Sequence, residues 1–181
     1  MKTTGLPLVG KGSFTKVYRK SKTKVLIKTI DVVKEAMAEN SVFQKSSLFP
    51  TLRYQGSSGK YKLYEGTYYK PVKSILMNVP DRDWELYQIL QNISWSYGGT
   101  YETLYSRFEK RIPGKFWRQK KVLLKSLETL KDYTDAVGFE ISPRNLAVHR
   151  GRLVLLDCFF CHKLLHEVRE AKIRREIDVY Y

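Results

Sequence analysis

The side chains of Glu140, Asn145 and Asp157 are those whose types and spacing suggest chemistry. Two short apolar strands joined by a glycine turn lie between Asn145 and Asp157. A hairpin of this kind would hold these two residues at neighbouring strand ends, with Glu140 on the loop that leads in. Amide and carboxylate oxygens are the ligands that Mg²⁺ prefers, completed by phosphate oxygens and water. The stretch therefore indicates a shared magnesium site, and an exposed hairpin with polar ends is the alternative.

A second candidate for phosphate chemistry lies near the N-terminus. Residues 8–18 contain two apolar strand ends around Gly10 and Gly12. Glycines let a backbone turn approach a phosphate without interference from a Cβ atom. The β-branched run that follows ends on Lys28, and a strand lysine can aim a compact charge into the space beneath the glycine turn. A plain hairpin turn is the alternative interpretation.

The next segment predicts a helix over residues 31–43, because its apolar residues recur at helical spacing. Glu35 and Glu39 lie four residues apart on one side of this helix. One of them could pair with Lys28 and fix its direction. The alternative is that both glutamates are solvated, as most helix glutamates are.

The rest of the chain predicts a small antiparallel sheet followed by helices. Short strands are expected around residues 53–55 and 61–64, separated by a flexible Gly-Ser-Ser-Gly turn. Beyond Pro71 the pattern becomes helical, with Asp81 as a candidate N-cap. The predicted helices cover residues 81–94, 100–111, 116–133 and 163–177.

Length and charge bound the function. A chain of 181 residues can bury a core as one domain or as two small lobes around a cleft. Its 33 Lys and Arg exceed its 18 Asp and Glu, and the net charge of +15 favours acidic partners. No stretch has the length of a membrane span or the apolar core of a signal peptide, so we expect no membrane partner and a cytoplasmic location.

The basic side of the 116–133 helix, residues 115–125, is a candidate docking face for nucleic acid or for an acidic protein. A solvated helix face is the alternative. Cys158 and Cys161 form a C-x-x-C-H motif with His162, which is typical of haem attachment or of redox chemistry. Buried free cysteines beside aromatic residues are the simpler interpretation.

The order of these motifs resembles that of the protein kinases over roughly residues 6–160. The family signatures are G-x-G-x-x-G-x-V, V-A-I-K, a helix glutamate, H-R-D-L-x-x-x-N and D-F-G. A kinase-like leucine-x-proline segment at residues 48–50 follows Glu39 at about the usual distance and favours it over Glu35. The matching residues are Gly10, Gly12, Phe14, Val17, Lys28, Glu39, Pro143, Asn145 and Asp157.

The resemblance implies a single α+β, kinase-like domain over residues 1–181. An antiparallel-sheet lobe with one helix would cover about residues 1–67, and a truncated, mainly helical lobe would cover about 68–181. It implies ATP and Mg²⁺ as cofactors, with Lys28 held by Glu39 against the α and β phosphates. The other implied ligand residues are Asn145 and Asp157 for the metal, Gly10, Gly12, Ser13 and Val17 over the phosphates, and Glu65 and Thr67 in a hinge at residues 64–67.

Several departures from the family pattern bear on activity. Thr15 replaces the third glycine, and Glu140 replaces the catalytic aspartate, which keeps a carboxylate that can accept a hydroxyl proton. Leu26 replaces the alanine that the family has above the adenine, and Ala147 replaces the leucine below it. Side-chain volume is therefore expected to move from the floor to the roof of the adenine slot. No activation loop is recognisable, so a phosphorylation switch is not expected.

These features together resemble a minimal, atypical Ser/Thr protein kinase of the type that bacteriophages encode, acting in the host cytoplasm on a protein substrate. A catalytically inactive pseudokinase that binds an acidic partner is the main alternative. A kinase-fold AMP-transferase or small-molecule kinase is a third. The retained Lys28, Asn145 and Asp157 favour an enzyme, whereas Glu140 and Leu26 keep the binding protein open.

Overall fold

The computed structural model describes residues 5–70, 79–95 and 100–177. Within these residues the chain is a mixed α/β protein with a five-stranded antiparallel sheet and six α-helices. The predicted small antiparallel sheet is confirmed, and its strand order is β1-β2-β3-β5-β4. Its strands are β1 (Leu8–Lys11), β2 (Thr15–Arg19), β3 (Lys24–Thr29), β4 (Leu52–Ser58) and β5 (Tyr61–Thr67).

The first hairpin forms where the glycine pattern predicts it. The backbone N–H of Gly12 donates to the carbonyl of Thr15 over 2.8 Å and closes the turn between β1 and β2. The β4–β5 hairpin is longer than predicted, because β4 continues to Ser58 through an irregularity between Tyr54 and Gly56. Gly56 adopts a φ of 128°, a conformation that side chains rarely allow, and absorbs this irregularity.

The helices are α1 (Val32–Glu39), α2 (Ser41–Gln44), α3 (Asp81–Trp95), α4 (Tyr101–Arg111), α5 (Trp117–Lys131) and α6 (His162–Ile177). The helix predicted over residues 31–43 is therefore divided. It breaks at Asn40, whose backbone is extended and whose side-chain amide donates to the carbonyl of Ala36 over 2.9 Å. Asp81 is the first residue of α3 rather than its N-cap, whereas Thr100 caps α4 by accepting from the N–H of Thr103.

Two small antiparallel ladders complete the fold. Strands β7 (Leu146–His149) and β8 (Arg152–Leu155) form the predicted hairpin. Its two-residue turn has positive φ at Arg150 (51°) and Gly151 (64°), which suits the twist of the flanking strands. Strands β6 (Val137–Phe139) and β9 (Phe159–Cys161) pair on either side of this hairpin and were not predicted.

One cluster of buried apolar residues joins the sheet side to the helical side. It includes Met37 of α1, Tyr64 of β5, Leu90 of α3, Leu127 of α5 and Phe159 of β9. The N–H of Leu155 also donates to the carbonyl of Leu48 over 2.8 Å, which ties the β7–β8 hairpin to the segment before β4. In the described part of the chain, no helix combines the length and apolar character needed to cross a bilayer.

Candidate active site

At the end of the β7–β8 hairpin, backbone hydrogen bonds connect the three positions whose oxygen-bearing side chains the sequence singles out. The N–H of Leu156 donates to the carbonyl of Asn145 over 2.7 Å, so Asn145 and Asp157 lie at neighbouring strand ends as predicted. The N–H of Glu140 donates to the carbonyl of Cys158 over 2.8 Å, which brings the Glu140 loop to the same end. Asp157 keeps 43% of its side chain exposed, and Glu140 is exposed.

Glu140 borders a cavity of about 520 Å³. Polar walls come from Gln91 and Ser94 of α3 and from Ser142, and the ring of Phe160 supplies an apolar wall. The hydroxyl of Ser94 accepts from the N–H of Ile141 over 3.0 Å and thereby fixes the loop that carries Glu140. An exposed carboxylate beside an open cavity is a suitable acceptor for a proton from a bound molecule.

The cation that contacts Asp157 is Lys34 of α1, a residue that the sequence reasoning missed. Its ammonium lies 2.7 Å from Oδ1 of Asp157 and donates to the carbonyl of Leu156 over 2.8 Å. The side chain of Lys34 is only 5% exposed. Its position three residues after the capping Asp31 and three before the apolar Met37 was the available signal, because residues at this spacing share a helix face.

Asp31 adds a second carboxylate behind Lys34. It is buried and caps α1 by accepting from the N–H of Val33 over 3.0 Å. Burial raises the pKa of Asp31 to about 6, although the charge of Lys34 lowers it in part. Burial by itself lowers the pKa of Lys34, but the negative charges of Asp157 and Asp31 outweigh it and raise that pKa above its ordinary value. The Lys34 ammonium is therefore charged and neutralised on two sides.

Lys28 does not take the position that the sequence pattern predicts. Its ammonium lies 4.7 Å from the centre of the Tyr61 ring. Glu39 instead accepts from the hydroxyl of Tyr133 over 2.8 Å, and Glu35 pairs with Lys62. The expected pair between Lys28 and Glu39 is not formed.

The reason is the alternation of side chains along β3. Thr29 lies opposite Lys62, and Lys62 contacts Glu35 of α1, so Thr29 and Lys62 share the sheet face that α1 covers. Lys28 is the next residue along β3 and points to the other face. Helix glutamates are therefore out of its reach.

The same alternation separates the residues expected to line one nucleotide slot. Val17 lies opposite Ile27, so these two share the face of Thr29. Leu26 and Lys28 share the opposite face, and the structure does not bring them together with Val17. Leu26 and Ala147 are also fully buried, which does not match a roof and a floor bordering an open slot. A one-residue offset moves every side chain of a strand to the other face.

The glycine turn has space that the fold itself does not use. A Cβ atom added at Gly12 would meet only the carbonyl oxygen of Thr15, at 4.0 Å. Gly12 and the neighbouring Ser13 are both exposed, whereas a Cβ at Gly10 would lie 3.4 Å from Cβ of Val17. Packing inside the chain therefore does not require glycine at position 12, and an external group can approach the backbone there.

The predicted hinge is part of the sheet. Glu65 lies in β5 between β3 and β4, so its backbone groups face neighbouring strands rather than a ligand. Its carboxylate pairs with Lys20 and with Lys24, and the hydrogen bond from Lys20 contributes most to lowering the pKa of Glu65. Thr67 is the last residue of β5, so a connecting segment begins only after it.

The structure also accounts for Gly138 and for the two cysteines. A Cβ at Gly138 would lie 2.3 Å from Cζ of Phe160, so the Phe160 ring occupies the space that a side chain at position 138 would take where β6 and β9 pair. Cys158 and Cys161 are free and buried, as the core interpretation predicts. Burial raises the pKa of the Cys158 thiol, which makes it a poor nucleophile.

The basic side of α5 borders a separate groove of about 370 Å³. Trp117 is 56% exposed there, and Lys121 and Lys125 follow it along the helix at spacings of four residues. The Lys120 ammonium is bound by carbonyls at the end of α4, including that of Ile112. Lys121 and Lys125 have no ion-pair partner among the residues that the structure describes.

A comparison of the chain with models of known protein families and with curated proteins finds no match. In the described ranges, no three or more His, Cys, Asp or Glu side chains converge to hold a metal ion by themselves.

Proposed function

We propose that the chain is a minimal, atypical kinase-like enzyme that transfers the γ-phosphoryl group of ATP to Ser or Thr hydroxyls of a protein substrate. In this proposal residues 1–67 and 68–181 are the two lobes of one kinase-like domain. The observation that carries it is the end of the β7–β8 hairpin, where backbone hydrogen bonds connect the strand ends of Asn145 and Asp157 with the Glu140 loop, and the Lys34 ammonium lies 2.7 Å from Asp157.

The donor atoms at this end suit Mg²⁺ with ATP. Asn145 offers an amide oxygen and Asp157 a partly exposed carboxylate, a hard-oxygen set that needs phosphate oxygens and water to reach six ligands. Asn145 and Asp157 would hold the ion, and the exposed turn at Gly12 and Ser13 would approach the phosphates. When bound, Mg²⁺ neutralises charge on the transferring phosphoryl group.

The residues of the chain would contribute positioning and proton transfer. Glu140 would accept the proton of an acceptor hydroxyl bound in the 520 Å³ cavity that it borders. The hydroxyl oxygen then forms the new bond to the γ-phosphorus while the bond to the bridging oxygen breaks and ADP leaves. Ser94 keeps the Glu140 loop in place through its 3.0 Å bond to Ile141. Most of the rate would come from this preorganisation.

The groove beside α5 supports an acidic protein segment as the docking partner. Lys121 and Lys125 offer uncommitted ammonium groups, and Trp117 offers an exposed ring next to them. Replacing Lys121 by Glu is expected to weaken capture of an acidic peptide at least about threefold, consistent with the loss of one surface charge pair. Lys22→Glu, in the exposed turn between β2 and β3 and outside the groove, is the matched control. Preferential binding of single-stranded nucleic acid over the peptide would contradict the choice of partner.

An inactive binding protein with this fold is the second candidate. It is favoured by one specific observation: Lys28 and Glu39 do not pair, and Lys28 lies against Tyr61 instead. If no other cation serves the phosphates, such a chain would bind a partner without transfer.

The test is incubation of the purified protein with γ-labelled ATP, Mg²⁺ and an acidic Ser/Thr peptide. We expect label on the peptide, and loss of most of it in Asp157→Ala and Glu140→Gln. Asp132→Ala, an exposed carboxylate outside the site, is the control and should retain activity.

Three other outcomes separate the alternatives. A melting shift with Mg²⁺ and ADP but no label would support the binding protein. Label from α-labelled but not γ-labelled ATP would indicate AMP transfer, and label only on a small hydroxyl compound would indicate a small-molecule kinase. Neither label nor melting shift would contradict nucleotide binding altogether.

A further inference from the structure

A buried lysine connects helix α1 to the candidate metal ligand. The ammonium of Lys34 has two contacts with the β8 end, Oδ1 of Asp157 at 2.7 Å and the carbonyl of Leu156 at 2.8 Å. With its side chain 5% exposed, the ammonium has little access to water. A charge in such a place is tolerated only when it is paired and hydrogen-bonded, so these contacts hold it in one position.

Strand β3 does not supply a cation on this face. The position facing α1 at the end of β3 is Thr29, which is fully buried. Its hydroxyl lies 2.7 Å from the hydroxyl of Thr15 and accepts from the N–H of Asp31 over 3.0 Å. Lys28 lies on the other face against Tyr61. The residue of β3 that faces α1 at this point is therefore a satisfied threonine and not a cation.

Helix α1 places its own lysine there because it begins immediately after the strand. Only Ile30 and Asp31 separate β3 from the first residue of α1, Val32. Asp31 caps the helix, and Lys34 follows in the first turn, directed at the hairpin end. Asp31 is buried near Lys34 and supplies a second negative charge. Cap, lysine and Asp157 form one connected unit.

We infer that Lys34 is the positioning lysine of the proposed phosphotransferase and that Lys28 is not. The inference rests on the proposed function. Lys34 fixes Oδ1 of Asp157 and the backbone beside it, which leaves the other carboxylate oxygen and Asn145 for Mg²⁺. It acts on the reaction through Asp157, and no contact between Lys34 and substrate is required.

The experiment compares Lys34→Met, which keeps length without charge, with Lys34→Arg and with Lys28→Met. Transfer from γ-labelled ATP is measured as a function of Mg²⁺ concentration, and kcat and KM are determined separately. The melting shift caused by Mg²⁺ and ADP is recorded for each variant. Circular dichroism checks that each variant is folded.

We expect Lys34→Met to lower kcat on the order of a hundredfold, the effect of a small misplacement at a reacting centre, and to raise the Mg²⁺ concentration required. Lys34→Arg should recover part of the rate, because it restores a cation next to Asp157. Lys28→Met should stay within about twofold of the unmodified chain, since Lys28 faces the other side of the sheet.

A folded Lys28→Met that loses activity, or a Lys34→Met that keeps both kcat and its Mg²⁺ dependence, overturns the inference. If Lys34→Met does not fold, the other two variants test the inference. A reduced kcat in Lys34→Arg with an unchanged kcat in Lys28→Met supports it, and the reverse result overturns it. If the unmodified chain gives no label, phosphoryl transfer fails. In that case, if the melting shift caused by Mg²⁺ and ADP is lost only in Lys34→Met, the positioning role of Lys34 is still supported. An equal melting shift in both Met variants overturns that role. With neither label nor shift, both proposals fail.

Discussion

The ion pair between Lys34 and Asp157 should be measurable as a coupling free energy that is independent of any activity. Its atoms are 2.7 Å apart, but its two sides differ, because Lys34 is 5% exposed and Asp157 is 43% exposed. Breaking a fully buried pair typically costs about 3–5 kcal/mol, and exposed pairs contribute about 0–1 kcal/mol. Asp157 can regain water when its partner is lost, so we expect a coupling of about 1–2 kcal/mol.

The assay is a double-mutant cycle of Lys34→Met and Asp157→Asn, followed by urea unfolding at neutral pH. The double variant should be more stable than the sum of the single effects implies, because either single change leaves an unpaired polar group. The pair of Lys62 with Glu35, 41% and 24% exposed, is the matched control and should give less than about 1 kcal/mol. A coupling below about 0.5 kcal/mol between Lys34 and Asp157 would refute the view that α1 is fastened to the hairpin by charge.

Three further predictions follow from burial and from space. The pKa of Asp31 is raised to about 6 from 3.8, so its protonated carboxyl group favours folding below pH 4, and this contribution is lost as the pH rises through 6. Wild type should therefore lose on the order of 2–3 kcal/mol relative to Asp31→Asn between pH 4 and 7, and equal pH slopes in urea unfolding would contradict this. Gly138→Ala should destabilise the fold by about 1–3 kcal/mol, because the added Cβ would lie 2.3 Å from Cζ of Phe160. Gly12→Ala should leave the melting temperature within about 2 °C yet weaken the melting shift caused by ADP, and an unchanged ADP shift would show that no phosphate approaches there.

The hairpins and most helices could be predicted because their signals are local. Gly12 marks a turn by its own conformational freedom, and Arg150-Gly151 does so for β7–β8. The three-residue strands β6 and β9 were missed, since a segment that short has no measurable period and its pairing joins residues far apart in sequence. The break at Asn40 depends on a side-chain hydrogen bond that competes with the helix.

The face of β3 could not be read from sequence. Residues 25–27 are all apolar, so no alternation shows which side of the strand the helix covers. The sequence-based prediction therefore chose Lys28 only because a lysine ends the apolar run. Ile27 and Thr29 face α1, and this places Lys28 on the wrong side for the expected pair. Lys34 was not predicted as a site residue because a lysine within a helix is usually solvated.

The short connection after β3 and the position of the lysine are best understood as one structural feature. With two residues between Thr29 and Val32, α1 starts close to the sheet, and its first turn rather than its middle reaches Asp157. Glu39 lies more than one turn further along α1, away from Asp157, and accepts from the hydroxyl of Tyr133 instead. Moving the lysine back to the strand by Thr29→Lys would therefore not restore the expected arrangement. It would bury a second ammonium where two threonine hydroxyls now satisfy each other at 2.7 Å, and would remove the hydroxyl that accepts from the N–H of Asp31.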